Sequence, residues 1–105
     1  MPIITANAGV ITQINVFTVP EGGQQPLIDL LIKSAHACSR VDGWMSASLH
    51  RSLDGTRVVN YAQARDQAAM QRVFETLKTG GFLERNRALG VAQPGLYEVA
   101  FTLDV

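Results

Sequence analysis

The residue of this chain whose type and setting most invite chemistry is a carboxamide, Asn60. It lies in one of two alternating segments, residues 44–53 and 57–63, which flank Asp54-Gly55, a pair favoured in two-residue hairpin turns because both positions tolerate positive φ. Counting outward from that turn places Leu49 opposite Asn60, and directly opposed residues share a sheet face. The other residues predicted on this face are apolar: Met45, Ala47, Leu49, Val58 and Ala62.

An amide on an apolar face has two interpretations. It can donate a hydrogen bond to an oxyanion formed on a bound molecule, which is a catalytic role. It can also hold a neighbouring backbone group in place, since buried polar atoms generally find partners. The sequence leaves both interpretations of Asn60 open.

Few other side chains offer reactive chemistry. His36 and His50 are the only histidines, and neither has a second ligand at metal-binding spacing, so we expect no metal site. His50 is interpreted as a hydrogen-bonding group at an interface, and His36 as a partly exposed helix residue. Cys38 is the only cysteine, which excludes an intrachain disulfide and indicates a small core residue.

Length and charge exclude several classes of protein. The 105 residues are enough for one core, so we predict a single domain over residues 1–105. The formal net charge is zero, with no run of Lys or Arg, which argues against a nucleic acid partner. No apolar run approaches the roughly 20 residues that span a bilayer, and residues 1–9 do not resemble a signal peptide, so we expect no membrane association and a cytoplasmic location.

The periodicity of apolar residues predicts the elements that must position Asn60. We expect helices from Pro26 to about Arg40, from an N-cap at Asp66 to Gly80, and a short one over residues 82–89. Strands are predicted at residues 10–19, 44–53, 57–63 and 96–105, the last introduced by Pro94-Gly95. The order is that of an α+β, ferredoxin-like βαββαβ fold, with a four-stranded antiparallel sheet covered by helices on one face.

The uncovered face predicts self-association. Counting from the turn gives it Trp44 and Tyr61, and we expect Phe17 there as well. Aromatic residues are seldom left on a bare sheet, so a second copy of the chain is the expected cover, in a closed homodimer. The alternative is a monomer with an ordinary solvated face.

Residues 43–63, GWMSASLHRSLDGTRVVNYAQ, resemble the central hairpin of the antibiotic biosynthesis monooxygenase family. The sharpest part is the Asp-Gly-Thr turn followed by Val-Val-Asn-Tyr-Ala-Gln. The resemblance implies a homodimer of the dimeric α+β barrel type, with pockets between sheet and helices. It further implies oxygenation of an aromatic polyketide-like or quinol substrate by molecular oxygen, without flavin, haem or metal.

For the site, the resemblance implies that Asn60 is the donor to the substrate oxyanion. We expect apolar lining of the substrate pocket from four residues: Leu49, Val58, Met70 and Phe74. Two positions depart from the family, because Ala64 stands where a tryptophan is usual and Met70 near where some members place an aromatic hydroxyl. A non-catalytic dimer of the same fold, binding a small ligand or serving in assembly, is therefore the alternative function.

Overall fold

The computed structural model describes residues 2–105, and Met1, which the expected domain includes, lies outside them. The predicted α+β fold with a four-stranded antiparallel sheet is confirmed, and the strands lie in the order β2-β3-β1-β4. No helix within the described residues is long and apolar enough to cross a membrane. The elements are β1 (Ile11–Thr18), α1 (Gln24–Cys38), β2 (Trp44–Arg51), β3 (Arg57–Ala64), α2 (Gln67–Thr79), α3 (Phe82–Leu89) and β4 (Val91–Tyr97).

The helices cover one face of the sheet, which we call the helix face. In the β1–β3 pair, Phe17 lies opposite Val58, and both are buried in one cluster with Leu27 and Leu31 of α1. Removing a large apolar side chain of this kind from water contributes roughly 1.5–3 kcal/mol. Alternation along each strand then assigns every second residue from Phe17 and Val58 to the helix face, and the others to the open face.

The expectation that Phe17 lies on the open face is wrong. Only 2% of its surface is exposed, and it packs beneath α1. The hairpin gives the facing of β2 and β3 but leaves that of β1 undetermined, since the facing of β1 depends on a long-range pairing register. Tyr61 does lie on the open face, opposite Ser48 and Ile14.

The hairpin has the predicted register but a longer turn. Leu49 lies opposite Asn60, as predicted, and Ala47 opposite Ala62. The connection is a four-residue loop, residues 53–56, closed by a hydrogen bond from the Ser52 amide to the Arg57 carbonyl at 3.0 Å. Only Gly55 has a positive φ, of 82°, so a single left-handed residue suffices to reverse the chain.

At the start of the hairpin the predicted register is wrong, because β2 contains a β-bulge there. Trp44, and not Met45, lies opposite Ala64, and the register shifts between Trp44 and Ser46. The extra residue takes Met45 out of the apolar row, and 46% of its surface is exposed. Bulges are common on edge strands such as β2, where they interrupt the ladder. Trp44 was predicted on the open face. Its pairing with Ala64 places it on the helix face instead.

The last strand lies earlier in the chain than predicted. β4 spans Val91–Tyr97 and contains Pro94-Gly95, whereas residues 98–105 form no strand. The prediction placed Pro94 before the strand, because proline lacks the amide hydrogen that a central strand needs. The structure places β4 at the edge of the sheet, where one side of the strand makes no ladder and the missing hydrogen is tolerated.

Helix α2 begins where predicted and is held against the start of β2. The carboxylate of Asp66 accepts a hydrogen bond from the Ala69 amide at 2.8 Å, which caps the helix. Arg72 donates from Nη2 to the carbonyl of Asp42 at 2.9 Å. The adjacent Gly43 has φ of 88°, and a Cβ atom at this position would collide with the Cβ of Ala69. Gly43 thus allows the backbone to approach the helix closely.

We expect Gly43→Ala to destabilise the protein by about 3 kcal/mol, since it combines left-handed strain with overpacking against α2. Gly55→Ala is the matched control, because its φ is 82° but nothing lies within 4 Å of the added methyl group. The control should lose about 1 kcal/mol, from backbone strain alone. Urea unfolding of both variants measures the difference, and equal losses would contradict the close approach.

The hairpin loop predicts a pH dependence of stability. Asp54 accepts from the Thr56 hydroxyl, the Ser52 hydroxyl and the Thr56 amide, and these hydrogen bonds lower its pKa to about 2. Because the folded-state pKa lies below that of an unfolded Asp, about 3.9, the contribution is complete above that pH and is lost as the pH falls toward 2. Asp54→Asn should therefore lower the free energy of unfolding at pH 7 but not at pH 2.

Urea titrations of wild type and Asp54→Asn between pH 7 and pH 2 measure this difference. Asp104→Asn, which removes an exposed carboxylate from the end of the chain, is the control. A gap between wild type and Asp54→Asn that stays constant down to pH 2 would exclude the proposed cause.

Candidate active site

A cavity of about 570 Å³ lies between helix α2 and the half of the sheet formed by β1 and β4. Its volume falls within the range typical of small-molecule sites. The helix contributes one wall and the sheet the other. The lining residues are Gln13, Gln67, Met70, Gln71, Val73, Phe74, Leu77, Pro94, Gly95 and Leu96.

The cavity wall is apolar, with neutral polar groups. Its lining residues, all within the described part of the chain, include no ionisable side chain. The polar members are three glutamines, Gln13 from β1 and Gln67 and Gln71 from α2. Amides orient a ligand through hydrogen bonds without adding net charge, so this wall is suited to a largely apolar molecule that carries oxygen substituents.

Beside this wall, two asparagines lie opposite each other on the helix face. The register forms a row across all four strands, from Leu49 through Asn60 and Asn15 to Pro94. Asn15 thus adjoins the cavity residue Pro94 across the sheet and Gln13 along its own strand. Asn60 lies one strand further from the cavity.

Both carboxamides have a buried, unused acceptor. Within residues 2–105, neither the Oδ1 atom of Asn15 nor that of Asn60 has a hydrogen-bond partner. A buried polar atom without a partner costs roughly 1–3 kcal/mol, so native proteins seldom keep one without a reason. The Oδ1 atom of Asn15, next to the cavity, and that of Asn60, opposite it, are therefore candidate acceptors for the polar part of a ligand.

The predicted lining residues divide between cavity and core. Met70 and Phe74 line the cavity from α2, and Phe74 is 42% exposed. Val58 does not line it, because it is fully buried in the core with Phe17. Leu49 packs on that same core at the far end of the asparagine row. Both belong to the helix face as predicted, but on β2 and β3 rather than beside the cavity.

The remaining polar candidates are engaged elsewhere. Arg85 donates to the carbonyl of Gly80 and lies 4.4 Å over the ring of Phe82, so it stabilises the start of α3. The Nε2 atom of His50 is 3.0 Å from the Ser48 hydroxyl on the open face. Burial raises the pKa of the Cys38 thiol to about 11, which keeps it protonated and unreactive.

Comparison with known proteins gives independent evidence on the family of this chain. No family model matches the chain. The chain is 39% identical over 100 residues to tetracenomycin-F1 monooxygenase from Streptomyces glaucescens, covering 94% of this chain and 89% of that protein. The chain belongs to the antibiotic biosynthesis monooxygenase family.

Solved structures agree with this assignment. SnoaB, a cofactor-independent oxygenase from Streptomyces nogalater, superposes with a TM-score of 0.82 at 26% identity, over 91% of this chain and 98% of that one. The monooxygenase ActVA-Orf6 of Streptomyces coelicolor, solved in complex with nanaomycin D, gives 0.78 at 25% identity, over 90% and 91%. This member of the antibiotic biosynthesis monooxygenase family is therefore an enzyme, a monooxygenase.

Asn15 is the site residue that sequence reasoning missed in this monooxygenase. Its alternation with Phe17 along β1 places it on the helix face, beside Asn60. The signal was present, since an asparagine in the middle of a β-branched strand is unusual. The sequence does not show which face of the sheet this asparagine occupies, because that depends on the side to which Phe17 points.

Proposed function

We propose that this enzyme oxidises an aromatic polyketide-like or quinol substrate with molecular oxygen and without a cofactor, using Asn60 as donor to the substrate oxyanion. The observation that carries the proposal is an apolar, uncharged cavity next to Asn15, which lies opposite Asn60, with the Oδ1 atoms of both side chains buried and without a partner. Met70 and Phe74 pack against the rings of the substrate. Asn15 acts beside Asn60.

The reaction draws on the substrate's own electrons. An anthrone or hydroquinone loses a proton to water, since no ionisable side chain lines the cavity, and the resulting electron-rich anion passes one electron to oxygen. For an anthrone, radical and superoxide combine to a peroxide that loses water, so that a CH₂ group and O₂ become a carbonyl group and H₂O. The protein must stabilise the anion, and an amide N–H held in place beside an apolar cavity does so at little cost of reorganisation.

The two amides have complementary roles in this scheme. The unpartnered oxygens accept from hydroxyl groups of the substrate that stay protonated. After the proton leaves, the amide nitrogens donate to the oxyanion, an interaction that strengthens as charge develops. The three glutamines of the cavity bind further oxygen substituents and orient the rings.

The relatives support the substrate class. The tetracenomycin-F1 monooxygenase shares 39% of its residues with this chain over the matched region, and the related ActVA-Orf6 structure contains nanaomycin D. These relatives are polyketide monooxygenases, and a polyketide-like molecule suits a cavity with an apolar wall and neutral amides.

The second candidate is a non-catalytic module that binds a small aromatic ligand. Ala64 favours it, because this alanine is fully buried against Ala69 and Met70 and offers no donor. A binding module needs the same cavity but no oxyanion donor, so ligand affinity without oxygen consumption distinguishes it.

We also propose that the enzyme is a homodimer whose open faces meet. Tyr61 and Ile14 lie side by side on that face and are only partly buried. A second sheet packed at about 10 Å would cover them. The formal net charge of zero gives little repulsion between copies.

Replacement of the asparagines tests the catalytic proposal. Asn60→Ala should lower kcat by about 100-fold, the usual effect of removing one oxyanion donor, and Asn15→Ala should lower it less. Oxygen consumption and quinone formation over a panel of anthrones and hydroquinones give the rates. Asn86→Ala is the matched control, since Asn86 in α3 also has a buried, unpartnered Oδ1 but does not line the cavity.

Equal rates of oxygen consumption for wild type and Asn60→Ala would exclude Asn60 as the oxyanion donor. Binding of these compounds without any oxygen uptake would favour the binding module. An Asn86→Ala rate as low as that of Asn60→Ala would mean that buried amides act here through stability alone.

The uncharged cavity leads to a second prediction, which concerns the pH dependence of kcat/KM. Since no ionisable side chain lines the wall, the rise of kcat/KM with pH should follow the ionisation of the substrate itself. Two hydroquinones of different acidity should therefore give profiles with different midpoints. A common midpoint for both substrates would point instead to a titrating group of the protein.

A further inference from the structure

The polar side chains that helix α2 brings to the cavity lie in the first half of the helix. Gln67 and Gln71 are one turn apart on its cavity side, and the last residues that it contributes there, Phe74 and Leu77, are apolar. This wall of the cavity therefore has a polar end and an apolar end.

The polar end is displaced from the asparagine pair. Met70, the neighbour of Gln71 in the chain, packs with Ile11 and Ala64, which lie opposite each other in β1 and β3. Ile11 comes four residues before Asn15 on the same face of the sheet. Four residues of antiparallel strand span about 14 Å. An oxygen atom bound by Gln71 therefore belongs to a part of the substrate other than the oxyanion.

The amide of Gln71 is held in one orientation. Its Nε2 atom donates to Oε1 of Glu75, one turn further along α2, at 3.0 Å. A carboxylate only accepts hydrogen bonds, so the amide cannot turn its oxygen toward Glu75. Gln71 lines the cavity, whereas Glu75 does not. The nitrogen is thus engaged outside the cavity, and the oxygen is left for a ligand.

A matching pair in α1 shows the effect of such an orientation. The Nε2 atom of Gln25 donates to Oδ1 of Asp29 at 2.8 Å, with the same spacing of four residues. The oxygen of Gln25 then accepts from Nη2 of Arg51 at 2.9 Å. A glutamine held through its nitrogen thus offers its oxygen to a donor. For Gln71, no side chain within residues 2–105 fills that place.

The other two glutamines of the cavity are not fixed in this way. Within the described residues, Gln13 and Gln67 form no such pair with a carboxylate. Each can present either its oxygen or its nitrogen to a ligand, so each accommodates carbonyl, ether and hydroxyl groups alike. Discrimination among oxygen substituents therefore depends on Gln71.

We propose that Gln71 accepts a hydrogen bond from a free hydroxyl group on a ring remote from the oxyanion, and so selects phenols over their methyl ethers. The inference rests on the proposed function and names the substituent that the cavity selects. A hydroxyl group donates to the amide oxygen, whereas a methoxy group has no hydrogen to give and leaves that oxygen unpaired. Glu75 does not touch the substrate and acts as a positioning residue.

Two anthrones that differ by one methyl group test the inference. The first carries a hydroxyl group on an outer ring, away from its carbonyl group, and the second is the methyl ether of the first. Wild type should favour the hydroxyl compound in kcat/KM. Gln71→Met keeps the length of the side chain without the amide and should reduce this preference about fivefold, the effect of one neutral hydrogen bond. The loss should appear in KM, because this hydrogen bond is the same before and during the reaction.

Variants of Glu75 test the positioning without changing the cavity wall. Glu75→Gln lets either end of the Gln71 amide face the ligand, so the preference should fall toward that of Gln71→Met. Glu75→Asp should retain it, because Asp29 holds Gln25 at the same spacing. Asp29→Asn is the matched control, since it breaks the pair in α1 outside the cavity and should leave the preference unchanged.

The outcomes separate this inference from the proposed oxygenase. Oxidation of both compounds with the same preference in wild type and Gln71→Met would overturn the role of Gln71 and leave the oxygenase in place. A preference that survives Glu75→Gln would overturn the positioning by Glu75.

A binding measurement decides the inference if neither compound is oxidised. Calorimetric titration without oxygen gives the dissociation constants of the two anthrones for wild type and Gln71→Met. A preference for the hydroxyl compound that Gln71→Met loses would support the selection by Gln71 even though the oxygenase had failed. Equal constants, or no binding of either compound, would overturn it.

Discussion

The pairing of β1 with β3 is the constraint on which the rest of this structure depends. These are the two central strands, and their register places Phe17 opposite Val58 and Asn15 opposite Asn60. The first pair is the centre of the core beneath α1, and the second lies two residues further along the same face. A shift of one residue in one strand would turn its members to the opposite face and separate both pairs. Packing of the core therefore also fixes the site.

This arrangement explains how two unpartnered amides are tolerated. A buried acceptor without a partner is unfavourable, and flexible side chains would normally turn toward water or a backbone group. Here the amides lie beside a core in which Phe17 and Val58 are almost fully buried, and they belong to strands whose backbone groups are engaged in the ladder. The rigid core keeps the amides in place for a ligand, as an active site requires.

The sequence predicted most of the fold because local signals determine it. Asp66, Gly80 and the Asp54-Gly55 turn act within a few residues, and each helix or turn that they mark is present. The facing of Phe17, the bulge at Met45 and the position of β4 depend on long-range pairing, and there the predictions were wrong. The site shows the same division. The facing of Asn60 followed from the hairpin, whereas Asn15 and the cavity over β1 and β4 follow only from the assembled sheet. The cytoplasmic location stays a prediction.

The two edges of the sheet favour association through a face rather than through an edge. β2 carries a bulge between Trp44 and Ser46, and β4 carries Pro94, and both devices hinder pairing of an edge with another chain. Edge-to-edge growth would generate open assemblies, whereas two facing sheets form a closed pair. The open face offers apolar surface for a closed pair, since Val91 and Tyr97 are exposed there and Tyr61 and Ile14 are only partly buried. Protected edges together with an apolar open face are therefore consistent with the proposed dimer, which closes on itself and leaves the cavity beneath α2 free on the opposite side of the sheet.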